Sequence, residues 1–158
     1  MDLEFQTVVE RYSAPLYRLA YSYLSSRQDA EDVLQEVFLK FLRRRPVFSA
    51  EEQRRAWLMT VTANQCRDLL RSPWRRRVGE LNEAQGLSAP EAETHPEVAA
   101  ALAQLPAKDR AVVYLFYYEE LPTKEIAAVL RMTDSAVRTR LSRAREKLKD
   151  LLGGDDHG

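Results

Sequence analysis

A chain of 158 residues has room for one ordinary domain or two small ones. With 45% hydrophobic and 30% charged residues it is globular rather than disordered, and its single cysteine, Cys66, excludes an internal disulfide framework and suits a reducing compartment. Its 24 Lys plus Arg balance 24 Asp plus Glu, so net charge alone excludes neither a polyanion nor a protein partner.

Five Gly, seven Pro and an abundance of Leu, Ala, Arg and Glu over Val and Ile predict an all-α protein. The first segment places Phe5, Val8, Val9 and Tyr12 at helical spacing, and Leu16, Leu19, Ala20, Tyr23 and Leu24 continue the stripe. Pro15 predicts a kink there, or a fresh helix start. This acidic, amphipathic N-terminus is not a signal peptide, and no apolar run approaches the roughly 18 residues of a membrane span. The next helix is expected to be capped by Asp29, with Asp32 three residues on. Val33, Leu34, Val37, Phe38, Phe41 and Leu42 form its inner face, and Pro46 stops it. A loop that is basic, then aromatic at Phe48, then acidic leads to a third helix over 51–71. Its expected inner positions are Trp57, Leu58, Val61, Leu69 and Leu70, and Pro73 ends it.

Residues 74–97 lose periodicity and hold Gly79, Gly86, Pro90, Pro96 and five Glu. They predict a flexible acidic linker between two domains, one over 1–73 and one over 97–152, with 153–158 a disordered tail. The second domain reads as four short helices: "EVAAALAQLP"; "AKDRAVVYLFYYEE", with Val112, Leu115 and Phe116 inward; "PTKEIAAVL"; and "TDSAVRTRLSRAREKLKDLL".

Charge is concentrated locally. Residues 40–45 hold Lys40, Arg43, Arg44 and Arg45 with no acid; 67–77 hold five Arg against Asp68; 131–149 hold seven basic residues against Asp134 and Glu146. Such islands are either solvated helix faces or separate contacts with a polyanion. The last island bears most on the choice. Its spacing over 122–148 is that of a helix-turn-helix, with Ala127 small at the crossing, Val137 between the helices and Thr133 as N-cap. On a wheel of about 100° per residue, Val137, Leu141, Ala144 and Leu148 form one apolar stripe. Ser135, Thr139, Ser142 and Glu146 lie opposite. Arg138, Arg145 and Lys149 flank that strip on one side, and Arg140, Arg143 and Lys147 on the other. Short hydrogen-bonding side chains between two basic rails suit a DNA major groove, although flanking arginines also snorkel over apolar stripes on ordinary helices.

"DAEDVLQEVFLKFLRR", then "RRAWLMTVTANQCRDLLR", then the acidic linker, then "LPAKDRAVVYLFYYEELPTKEIAAVLRMTDSAVRTRLSRAREKL" resembles the extracytoplasmic-function sigma factors, the members of the sigma-70 family that hold only regions 2 and 4. The resemblance runs from about Phe5 to Leu152. It implies a polymerase-docking role for Asp32, Gln35, Glu36 and Lys40. It implies contact with the −10 element for Arg43, Arg44, Phe48, Asn64, Arg67 and Arg71, and contact with the −35 element for Thr133, Asp134, Ser135, Arg138, Thr139, Arg140 and Arg143. It further implies core RNA polymerase, promoter DNA and an anti-sigma factor as partners, a cytoplasmic location, and no cofactor, metal, small-molecule substrate or membrane insertion.

Three positions depart from the family pattern. Arg131 replaces a usual Gly at the turn, at a cost of about 1 kcal/mol if left-handed. Pro122 replaces a capping Ser, and Cys66 interrupts the −10 helix, where a small buried side chain is expected. Two distant histidines and one cysteine compose no triad or metal set, so no enzymatic activity is expected. The alternatives are a stand-alone helix-turn-helix regulator, which would need a ligand pocket or dimer surface in the first half, and a helical adaptor that does not touch DNA.

Overall fold

A computed structural model of the chain describes residues 2–72 and 95–153. The described residues are all-helical: α1 (Leu3–Leu24), α2 (Arg27–Arg44), α3 (Glu51–Arg71), α4 (Pro96–Ala103), α5 (Ala107–Val113), α6 (Thr123–Leu130) and α7 (Asp134–Leu151). Helix α5 runs on into one wider, π-type turn over Tyr114–Tyr118. Most of the linker expected over 74–96 and most of the expected tail lie outside the described residues, and the helix after the linker begins at Pro96.

Two expectations about helix ends are corrected. Helix α1 does not restart at Pro15 but continues through it, because the apolar stripe on both sides packs into one core. The cap of α2 is not Asp29 but Ser26. Ser26 sits in the extended region and its hydroxyl accepts from the Asp29 amide at 3.2 Å, which starts the helix at Arg27. Helix α3 spans the predicted 51–71, but its inner face is rotated. Leu58, Met59, Thr62, Ala63 and Cys66 are buried, while Trp57, Val61, Leu69 and Leu70 pack half-buried at the margin. Thr62 fits among apolar neighbours because its hydroxyl donates to the Leu58 carbonyl at 2.8 Å. Cys66 is buried, as expected.

Helices α1, α2 and α3 pack on one another around Leu16, Leu19, Val37, Phe41 and Leu58, all fully buried. Burying each such side chain stabilises the fold by about 1.5–3 kcal/mol. The second half packs α5, α6 and α7 around Val112, Leu115, Ile126, Leu130 and Val137. The two cores are continuous, with α1 against α5 and α3 against α6.

Candidate nucleic-acid interface

Helix α7 forms as its wheel requires. Thr133 is the N-cap, and its hydroxyl accepts from the Ala136 amide at 3.1 Å. Val137, Leu141 and Ala144 are buried, while Ser135, Thr139 and Ser142 face outward. Arg131, the last turn before it, is left-handed at φ 56° and ψ 52°. Its amide reaches back to the Ala127 carbonyl and closes α6. Pro122 is the residue before α6 rather than within its first turn, and it supplies no side-chain cap.

The basic rails are less free than the wheel suggests. Arg138 pairs with Asp134 at 2.6 Å, one turn back. Arg140 is turned inward onto the buried carboxylate of Asp109 at 2.7 Å. Arg145 lies over the rings of Phe116 and Tyr117 and donates to the Tyr117 hydroxyl at 2.6 Å, and Lys147 donates to the Gln104 carbonyl at 3.2 Å. Arg143, exposed beside the polar strip, makes no side-chain hydrogen bond or ion pair among the described residues. The Thr139 hydroxyl donates to the Ser135 carbonyl at 2.9 Å, which leaves its oxygen free to accept.

The first half presents two faces. On α2, Asp32, Gln35 and Glu36 share one outward side with Leu39, which is 45% exposed, and Arg43, which pairs with Glu36 at 3.4 Å. Lys40 turns the other way and donates to Gln65 on α3 at 3.1 Å. In the loop after α2, Phe48 packs edge-on against Trp57 and lies beneath the Arg54 guanidinium, so both rings belong to the margin of the core. Val47 stands 95% exposed beside them. Sequence reasoning passed over Val47 and Leu39. Their only signal is an apolar residue at a position that periodicity assigns to solvent.

Asn64 and Arg67 on α3 are half-buried at the boundary between the halves. Arg67 donates to the Asn64 side-chain oxygen, and across the boundary between the halves to the Leu130 carbonyl at 3.1 Å. That carbonyl ends α6, which has no basic residue of its own in its last turn. The opposite arrangement closes α1, whose last turn also lacks a basic residue. Arg110 of α5 donates to the carbonyls of Ser22 at 2.6 Å and Tyr23 at 3.0 Å, and to that of Leu105 at 2.6 Å. Each half therefore caps a helix C-terminus of the other with a guanidinium, satisfying carbonyls that have no partner within their helix and opposing the negative end of its dipole. Burial first, and then the Glu119 carboxylate at 2.6 Å, raise the Tyr114 phenol, which also lies 3.3 Å from the Pro15 carbonyl. Arg55 and Glu125 add an ion pair at 3.8 Å.

The fold is that of an all-helical protein of two packed parts, with a helix-turn-helix in the second. Residues 8–76 match the family model described as sigma-70 region 2, and residues 95–148 that of sigma-70 region 4. The chain is 32% identical to the ECF RNA polymerase sigma factor SigE of Mycolicibacterium smegmatis, over 92% of this chain and 60% of that longer relative. It is 30% identical to the RNA polymerase sigma factor CnrH of Cupriavidus metallidurans, over 96% and 87%. The solved structure of CnrH in complex with the cytosolic domain of CnrY superposes with a TM-score of 0.68 at 30% identity, covering 96% of this chain and 88% of that one. The chain belongs to the extracytoplasmic-function sigma factors of the sigma-70 family.

Proposed function

We propose that this protein is the promoter-recognising, dissociable subunit of a bacterial RNA polymerase, and that it works through three surfaces. The α2 face of Asp32, Gln35 and Glu36, centred on the exposed Leu39, docks on core polymerase, with Lys40 at its edge. The loop Arg43–Ala50 and the α3 residues Asn64, Arg67 and Arg71 open and hold the −10 element. A base drawn out of its stack needs an apolar or stacking surface, which Val47 and Phe48 supply, and its strand needs cations, which Arg43, Arg44 and Arg71 supply. Helix α7 enters the major groove of the −35 element. Ser135 and Thr139, both exposed on the outward strip, meet the base edges, and Thr133, Asp134, Arg138 and Arg143 lie around them. Arg140 supports the helix through Asp109.

One observation carries this reading. Region 2 and region 4 matches stand in order on one chain, each bearing its own nucleic-acid-type face. The comparisons support this reading and not the stand-alone regulator. The CnrH structure holds a cytosolic domain of CnrY, and by likeness an anti-sigma factor is the expected inhibitory partner here. The setting is the cytoplasm; among the described residues no helix is long and apolar enough to cross a membrane. Catalysis belongs to the polymerase. The test is to add the purified chain to core polymerase and map transcription starts on a promoter library. Stable association and discrete starts with shared −35 and −10 sequences are expected, and failure of either overturns the proposal.

A further inference from the structure

The three basic islands of the sequence converge. A cleft of about 390 Å³ opens between the halves of the molecule. Its cations are Lys40 and Arg44 of α2, Arg67 and Arg71 of α3, Lys108 of α5 and Arg131 of the helix-turn-helix turn. Asp68 is its one carboxylate. Among the described residues none of these six cations forms a salt bridge. Lys40 and Arg67 have only neutral acceptors, namely Gln65, Asn64 and the Leu130 carbonyl. Elsewhere the chain pairs its guanidinium groups freely, as at Arg45–Glu4, Arg54–Glu51 and Arg138–Asp134. Six like charges gathered against a single carboxylate among the described lining residues repel one another and favour an anion among them. Among the described residues the apolar lining is Val61 and Leu130, with no aromatic ring to stack on a base. Guanidinium forks match phosphate oxygens two at a time, and the volume lies in the range of small-ligand sites.

We propose that this cleft binds a small polyphosphate, recognised by its phosphate chain, and that the bound anion holds the two halves together. The walls come from both halves, so the ligand grips only the packed arrangement and stabilises it by mass action. One consequence rests on the proposed function. In that arrangement Asn64 and Arg67 are turned onto each other and onto Leu130, so a bound polyphosphate opposes engagement of the −10 element.

The test is isothermal titration of the full chain with sodium tripolyphosphate and, separately, with ATP, with no polymerase or promoter present. Binding and promoter function are then judged independently. One-to-one binding is expected, weakened at least about tenfold by Lys108→Ala and by Arg131→Gly and unchanged by Arg27→Ala, an exposed cation outside the cleft. Arg131→Gly relieves a left-handed backbone, so a loss of binding in a variant that melts no lower than the parent is a loss of the cation and not of the fold. Equal affinity for both ligands shows that the phosphate chain alone is read, and tighter ATP binding places the nucleoside against Val61 and Leu130; either supports the site. Absence of binding up to about 1 mM overturns it, as does full affinity in Arg131→Gly or an equal loss in Arg27→Ala. A single-stranded −10 oligonucleotide whose binding also falls tenfold in Lys108→Ala and Arg131→Gly would identify the cleft as a DNA groove and overturn the polyphosphate assignment.

Discussion

Helices α3 and α7 carry comparable runs of arginine, yet the molecule treats them in opposite ways. The polar strip of α7 faces outward, with Arg143 free beside it. The corresponding face of α3 is covered by the end of α6, and Arg67 is engaged as a cap on Leu130. Composition does not separate the two. The difference is that one face lies away from the boundary between the halves and the other forms it. On the proposed assignment, the −35 face of α7 is open in this arrangement, whereas Asn64 and Arg67 of the −10 set are engaged at the boundary between the halves.

The largest expected effect separates two neighbours on α7. Arg140→Ala strands the buried Asp109 and should lower unfolding free energy by about 3 kcal/mol in urea titrations. Next is Arg110→Ala, which removes the donor for three backbone carbonyls. It should cost about 2 kcal/mol and raise amide exchange at the C-terminal end of α1 and along the covered face of α3. If α3 exchange stays unchanged, the comparison above fails. Arg143→Ala should leave stability within about 0.5 kcal/mol but weaken duplex −35 binding about tenfold and flatten its salt dependence by about one unit of slope. Arg131→Gly should stabilise the protein by about 1 kcal/mol, read as a raised Tm, because it releases a left-handed non-glycine residue.

The smallest effect is a pH dependence in the first half alone. The Tyr12 hydroxyl donates to the Glu51 carboxylate and so joins α1 to α3. Burial, then this carboxylate, raises the Tyr12 phenol to about 12. The Tyr12 hydrogen bond chiefly, with Arg54 and Arg11 adding, lowers Glu51 below its ordinary value. The Glu51 contribution is present above the ordinary carboxylate pKa and is lost as pH falls through the lowered value. The Tyr12 contribution is present up to pH about 10 and is lost as pH rises through about 12. Glu51→Gln should remove the acid-side loss, by a few tenths of a kcal/mol because Glu51 is largely exposed.

Where a signal was local, the sequence stated it well. The bounds of α3, the Thr133 cap and the buried stripe of α7 follow from propensity, helical period and capping chemistry, which need no knowledge of distant residues. The misjudged points were those decided by partners far along the chain. Pro15 sits inside a helix because both flanks share one core. Arg140 leaves the rail because Asp109, thirty-one residues earlier, is buried beneath it. Val47 and Leu39 carry no periodic signal, since an apolar residue left in solvent is indistinguishable in one dimension from one that is buried.

The sequence by itself determined the helices and the polar face of α7, which rest on residues within about one or two helical turns of one another, and the family, which rests on the order of two motifs along the chain. The tertiary structure alone decided which arginines are available. Arg67 and Arg110 cap helices in the opposite half, Arg140 holds a buried carboxylate, and Lys108 and Arg131 meet Arg71 across a cleft. A guanidinium commits to whichever carbonyl, carboxylate or phosphate lies within reach, and that is set by how the helices pack.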